Sequence, residues 1–95
     1  MDVYTVSDVI KRRFRFHLKR DPVSFIYLDF VNNVPNITII LSTNLTDNEL
    51  AALEVKYYRL MQDFPTYVFK VLNAVNHWHR KHTTITIYTK EGGFM

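Results

Sequence analysis

The clearest hydrophobic pattern in the chain is a helical repeat in its middle. Five apolar residues recur there at a 3-4-3-4 spacing, which places them on one helix face: Leu50, Leu53, Tyr57, Leu60 and Phe64. Thr46 and Glu49 have the Thr-x-x-Glu spacing of a capping box, so the helix is predicted to begin near Thr46. Pro65 is predicted to end or kink it, because proline disfavours helical geometry in the preceding residue.

A second helix is predicted directly after the proline, over residues 66–80. Its inward-facing positions would be Val68, Val71, Leu72, Val75 and Trp78. Trp78 would then anchor the core with its indole N–H at the rim.

Period-two alternation predicts three strands outside these helices. Residues 83–89 alternate Thr and Ile, the pattern of a half-buried strand. Residues 23–31 and 36–42 are predicted to form two more strands, joined by a hairpin loop at residues 32–35. Each of these strands carries a uniformly apolar face.

Residues 13–19 fit two structures. As part of a helix, the segment continues an apolar stripe through Ile10, Phe14 and Leu18, but Phe16 would face water. As a strand, it places Phe14, Phe16 and Leu18 on one side and its basic residues on the other. A fourth strand with an apolar face is what a helix-backed sheet requires, so we favour the strand, preceded by a short helix at about residues 5–11.

The predicted fold is therefore a two-layer α+β domain in the order α-β-β-β-α-α-β. An antiparallel sheet of three to four strands would pack on two to three helices. In that register, the face turned away from the helices carries basic, aromatic and hydroxyl side chains together: Arg13, Arg15, His17, Lys19, Phe25, Tyr27, Asp29, Val31, Thr38, Ile40, Ser42, Thr84, Thr86 and Tyr88. Asp29 would pair with Arg13 or Arg15 there.

Charge is concentrated in the ambiguous segment. Six of the twelve Lys and Arg residues lie within residues 11–20, with no acidic residue among them. Outside that segment, six basic and nine acidic side chains leave a net charge of −3. A local basic patch on a mildly acidic body indicates an anionic partner, most often nucleic acid.

We therefore predict a small non-enzymatic domain that binds DNA or RNA. Basic groups would contact phosphates while tyrosines stack on bases or line the groove. The predicted site comprises Lys11, Arg12, Arg13, Arg15, His17, Lys19, Arg20, Tyr27 and Tyr88, extended by Arg80 and Lys81. If the helix alternative holds, the same residues form a basic amphipathic helix that enters a major groove or lies on phosphates. The other hypothesis is a protein-interaction module, such as a small inhibitor or adaptor of viral type, whose patch docks on an acidic partner.

Size and composition bound the remaining expectations. Ninety-five residues predict one domain, with residues 91–95 as a frayed tail. A hydrophobic content of 47% is high for so small a core and predicts a homodimer. The chain has no cysteine, no apolar run long enough to span a bilayer and no secretory signal. We therefore expect no membrane partner and a cytoplasmic setting, in a cell or a virus-infected host.

The histidines are the remaining candidates for chemistry. His79 and His82 lack a placed carboxylate or cysteine, so we predict no metal site and no cofactor. His77-Trp78-His79 resembles the His-hydrophobic-His tripeptide of nucleases that nick single strands with a tyrosine nucleophile. In that family the tripeptide sits on a central strand, whereas here it is predicted to close a helix. No motif in the chain fixes a reaction.

Overall fold

A computed structural model describes residues 2–95 as two helices and one five-stranded sheet. In chain order the elements are α1 (Val3–Leu18), β1 (Val23–Val31), β2 (Val34–Leu41), α2 (Asp47–Leu60), β3 (Val68–Leu72), β4 (Ile85–Thr89) and β5 (Gly93–Phe94). The sheet order is β3-β2-β1-β4-β5. Strands β2 and β3 are parallel, and the other neighbouring pairs are antiparallel. The α+β class is confirmed, but the sheet is mixed and the predicted order is wrong.

The largest correction concerns the basic segment, which belongs to a helix and not to a strand. Asp2 caps α1 by accepting a hydrogen bond of 2.8 Å from the backbone N–H of Thr5. One face of the helix then buries five apolar side chains: Val6, Val9, Ile10, Phe14 and Leu18. The helix runs through Lys11 without interruption. Phe16 is the one apolar side chain of residues 13–19 that it leaves in solvent, at 65% exposure.

The predicted helix over residues 66–80 is also wrong. Its first part is β3, whose residues Val68–Leu72 pair with Asn36–Ile40 of β2. Phe69 and Val71 pack on the core, whereas Val68 and Lys70 are exposed, which is strand alternation. The sheet does have a further strand, as predicted, but residues 68–72 supply it beside β2 and residues 13–19 do not.

The other predicted elements are confirmed with shifts at their ends, of which the largest is in α2: this helix ends at Leu60 and not at Pro65, so Phe64 lies beyond it. Strand β1 has the predicted bounds, and α2 begins after the Thr46 cap with the complete capping box. The hairpin between β1 and β2 turns in two residues, Asn32 and Asn33, which have φ angles of 52° and 65°. Asparagine tolerates this left-handed region, and two such residues match the twist of the flanking strands.

Both helices pack on the same face of the sheet, and the core lies between the two layers. Phe14 and Tyr57 meet there at a ring-centroid distance of 4.9 Å. The strands contribute the apolar side chains that alternate toward this face: Ile26, Leu28, Ile37, Ile39, Leu41, Val71 and Ile87. The predicted tail at residues 91–95 contains β5, and its Phe94 ring lies 5.0 Å from the ring of Tyr88.

Candidate functional site

Four of the predicted basic residues lie on the solvent-exposed side of α1. Lys11, Arg12, Arg15 and Lys19 are all exposed, because the opposite side of the helix is occupied by the buried apolar stripe. We call these four residues the basic face. At a rise of about 1.5 Å per residue, the basic face is about 12 Å long. Arg20 is also exposed and follows the helix directly.

The basic face retains most of its positive charge. Within residues 2–95, the one acidic side chain that pairs with it is Asp8, which lies 3.0 Å from Arg12 and one helical turn away. Both side chains are more than half exposed, so water and salt screen this pair and it restrains Arg12 only slightly. Arg15 lies with its guanidinium carbon 5.0 Å from the ring centroid of Phe16.

Arg13 and His17 do not belong to the basic face. Arg13 turns toward α2, where it donates a hydrogen bond to the Leu60 carbonyl at 3.1 Å and forms an ion pair with Asp63. This guanidinium holds the pKa of the Asp63 carboxyl below its usual range. His17 is half-buried, with its ring 6.4 Å from that of Tyr57. The strand register had placed Arg13 and His17 outward, and the helix turns them toward α2.

Tyr27, Arg80 and Lys81 lie on the other side of the molecule. Tyr27 alternates with the core residues Ile26 and Leu28, so its side chain lies on the sheet face turned away from the helices. The segment between β3 and β4 crosses this face. It places the Arg80 guanidinium 5.1 Å from the centroid of the Tyr27 ring. The sheet therefore separates these residues from the basic face, contrary to the single site predicted.

Tyr88 lies on the helix-side face and not beside Tyr27. The pairing of β1 with β4 shifts by one residue at Ile87, so that Tyr88 opposes the core residue Ile26. Simple alternation along β4 had placed Tyr88 on the opposite face. The ring packs instead against Phe94 at the edge of the core.

An aromatic stack covers part of the face turned away from the helices. The rings of Phe25 and Tyr27 are 5.5 Å apart, and Trp78 stacks on Tyr27 at 5.1 Å with an interplanar angle of 21°. The ammonium nitrogen of Lys70 lies 5.8 Å from the centroid of the Trp78 ring. Trp78 was predicted to anchor the core between sheet and helices, and its actual position is on the opposite surface of the sheet.

A pocket of about 120 Å³ opens beside this stack. Two rows of side chains cross strands β1, β2 and β3 in register there. The first row is Tyr27, Thr38 and Lys70, and the second is Asp29, Asn36 and Val68. The segment that crosses this face adds Trp78, His79 and Lys81 to the wall, and Val31 and Thr84 also line it. We call this the sheet-face pocket.

The polar groups of the sheet-face pocket are partly held by the protein. Asp29 accepts hydrogen bonds from the backbone N–H of Phe30 at 2.9 Å and the hydroxyl of Thr83 at 3.0 Å. It pairs with neither of the arginines predicted for it. The Asn36 amide donates to the Val34 carbonyl at 3.0 Å. Among residues 2–95, no group donates a hydrogen bond to the Asn36 Oδ1 atom, and the second amide N–H of Asn36 has no acceptor.

Sequence reasoning missed the contributions of Lys70 and Trp78 to this surface. Both had been assigned to a helix, although Val68, Phe69 and Val71 are residue types that are enriched in strands. The pairing that places Lys70 beside Thr38 is long-range and has no local signal. No sequence pattern indicates that the following loop folds back over the sheet and brings Trp78 onto Tyr27.

The histidine tripeptide lies in the loop between β3 and β4. His77 and His79 are exposed there, and neither occupies a strand. Within residues 2–95, no three His, Cys, Asp or Glu side chains come together as a metal site. In the same range, no helix is long and apolar enough to cross a membrane.

The outer face of α2 leaves apolar side chains in water. Val55 is 48% exposed and Tyr58 is 57% exposed. Tyr67 lies beside Tyr58, at a ring distance of 5.5 Å. The homodimer expected from the composition stays a prediction.

The chain matches no protein-family model, no curated protein and no solved structure.

Proposed function

We propose that this chain is a DNA-binding domain that lays the basic face of α1 on the phosphates of a duplex. The observation that carries this proposal is the segregation of Lys11, Arg12, Arg15 and Lys19 to one exposed helix face. Cations that are free of strong internal partners can displace condensed counterions from DNA, and this release drives phosphate binding. Arg13 is excluded from the contact, because Asp63 already occupies it.

The length of the basic face supports a duplex over a single strand. Its length of about 12 Å equals the width of the major groove of B-DNA, which is about 12 Å. Long Lys and Arg side chains at both ends of such a stripe reach phosphates on both sides of the groove. The tyrosines that would have stacked on a single strand lie elsewhere in the fold. No residue of the basic face is assigned to base recognition, so the proposed binding is directed at the backbone.

A second candidate function is supported by Phe16. This ring is 65% exposed on the same helix and stacks under Arg15. Exposed aromatic and arginine side chains dominate the binding energy of many protein interfaces. A small inhibitor or adaptor that docks α1 on an acidic partner would use both residues.

We propose the cytoplasm, of a cell or a virus-infected host, as the setting for either function.

The location of the contact can be tested by mapping amide chemical shifts of ¹⁵N-labelled protein during titration with a 16-base-pair DNA duplex. The proposal predicts that the largest changes fall on residues 11–20. Residues of the sheet-face pocket should change little, since they lie across the sheet. Changes centred on Tyr27 and Trp78 would reject the proposal and assign DNA binding to the opposite surface.

A further inference from the structure

We propose that the sheet-face pocket binds a pyrimidine nucleotide, either free or as one residue of a single strand. This inference does not rest on duplex binding by α1, because the pocket and the basic face lie on opposite sides of the sheet. Three properties carry it: the size of the pocket, the polar groups at its floor and the charge around it.

The volume fits one aromatic ring. The pocket holds about 120 Å³. An engineered apolar cavity of about 150 Å³ in another protein accepts benzene, so a single six-membered ring is the largest flat group that fits well here. A purine has two fused rings and needs more room than one six-membered ring. The size therefore favours a pyrimidine.

The floor of the pocket offers hydrogen bonds that a pyrimidine edge can use. The Asn36 amide offers one acceptor and one donor: its oxygen can accept from an N–H of the base, and its N–H can donate to the adjacent C=O of the same base edge. Asp29 offers further acceptor capacity beside it. The Thr83 hydroxyl and the Phe30 N–H fix the Asp29 carboxylate in place, so little side-chain entropy is lost when a base binds.

The charge around the pocket favours an anionic ligand. Lys70 and Lys81 both line it and are both exposed, and Arg80 lies nearby over the Tyr27 ring. Among the described residues that line the pocket, Asp29 is the one carboxylate. A base seated at Asn36 would leave its 5′-phosphate within the field of these lysines. A neutral nucleoside lacks that contact and should bind more weakly.

Trp78 makes the proposal directly measurable, because it is the only tryptophan in the chain. The experiment titrates the full chain with uridine 5′-monophosphate, uridine, adenosine 5′-monophosphate and an octauridylate, and follows Trp78 fluorescence with inner-filter correction. We expect saturable quenching by uridine 5′-monophosphate. Uridine should bind about tenfold more weakly, because charge-assisted phosphate contacts are lost. Adenosine 5′-monophosphate should also bind more weakly than the uridine nucleotide.

Two variants separate this site from adventitious quenching. Lys70→Gln combined with Lys81→Gln should weaken binding of uridine 5′-monophosphate about tenfold or more. Arg59→Gln combined with Lys90→Gln is the matched control: it also removes two exposed positive charges, both outside the pocket, and should bind normally. Far-ultraviolet circular dichroism checks that each variant is folded.

Each outcome bears on the proposal. The proposal is overturned if uridine 5′-monophosphate shows no saturable binding at millimolar concentration. It is also overturned if the Lys70 and Lys81 substitutions leave the quenching unchanged, or if adenosine 5′-monophosphate binds equally well. If the octauridylate binds at much lower concentration than the mononucleotide, the occupant is one residue of a strand. Equal affinities identify the free nucleotide. Failure of duplex binding at α1 leaves these results unaffected.

Discussion

Arg13 of α1 is paired with Asp63, fifty residues further along the chain and just beyond the end of α2. The pair removes one cation from the basic cluster and ties the two helices together on the same side of the sheet. The basic segment looks uniform in sequence, but the helix separates cations that face solvent from Arg13, which stabilises the packing of α1 on α2.

This division predicts opposite effects for two neighbouring arginines. Arg13→Gln should lower the free energy of unfolding by about 1 kcal/mol, because the Leu60 carbonyl and Asp63 both lose a partner. Arg15→Gln should leave stability within about 0.5 kcal/mol, since its side chain is exposed. Urea unfolding of both variants measures this. Equal stability of the two variants would contradict the position of Arg13.

Asp63 adds a pH dependence with a defined sign. Its folded-state pKa lies below the ordinary value of 3.8, so the unfolded state binds more protons in that range. The stabilisation is present above about pH 4 and is lost as pH falls through the lowered pKa. The stability difference between the unmodified protein and Asp63→Asn should therefore shrink between pH 6 and pH 2.5. A constant difference would show that the carboxylate charge is not involved.

Tyr57 predicts a loss of stability at high pH. Its ring is fully buried, and its hydroxyl donates a hydrogen bond of 2.7 Å to Asp21, which Lys56 also binds. Burial and then the hydrogen bond to Asp21 raise the pKa of Tyr57 above its ordinary value of 10.0. The unfolded chain ionises first, so stability falls as pH rises above about 10. Tyr57→Phe should cost about 1 kcal/mol at pH 7 and show a weaker alkaline loss. Identical alkaline unfolding curves would contradict this.

The cap of α2 predicts a further stability effect. The Thr46 hydroxyl accepts a hydrogen bond from the Glu49 N–H at 3.2 Å, while the Glu49 carboxylate accepts one from the Thr46 N–H at 3.0 Å. Thr46→Ala should lower the free energy of unfolding by about 1 kcal/mol, whereas Thr46→Ser should cost much less. Thermal unfolding distinguishes the two. Equal melting temperatures would mean that the cap does not stabilise the fold.

Phe16 separates the two candidate functions. Phe16→Ala should leave stability nearly unchanged, because the ring is already 65% exposed. If α1 binds phosphates, this variant should reduce duplex affinity less than threefold, since the ring carries no charge. A loss of more than tenfold in duplex affinity would show that Phe16 is part of the contact and would contradict a purely phosphate-directed mode. Tyr4→Ala, which removes an 86% exposed ring from the same helix, is the matched control.

Local signals predicted α2, β1, β2 and β4 from sequence. The Thr46 capping box and the alternation in residues 85–89 each depend on neighbours within a few positions. The predictions for residues 13–19 and 68–72 were wrong, because short apolar segments fit both the helical and the strand period. Their outcome depends on long-range pairing: β3 forms because β2 offers a free edge, and α1 continues because one helix face buries Phe14 and Leu18.

The candidate site shows the same division. Residue types alone located the basic segment, and its helical alternative anticipated the exposed Phe16. The prediction that Tyr27, Tyr88 and Arg13 share one site was wrong for separate reasons. A one-residue shift in β4 moved Tyr88 to the other face, and the capture of Arg13 depends on Asp63, which no local pattern connects to α1.

Binding of duplex DNA by the basic face of α1 can be measured by fluorescence anisotropy of a labelled duplex at about 50 and 200 mM salt. Four phosphate contacts predict that affinity falls about 100-fold between these salt concentrations. Arg15→Glu combined with Lys19→Glu should abolish binding, while Arg59→Glu with Lys90→Glu, an equal charge change outside the basic face, should retain most of it. Binding that is absent at 50 mM salt, or that both double variants lose equally, would show that the basic face does not bind duplex DNA.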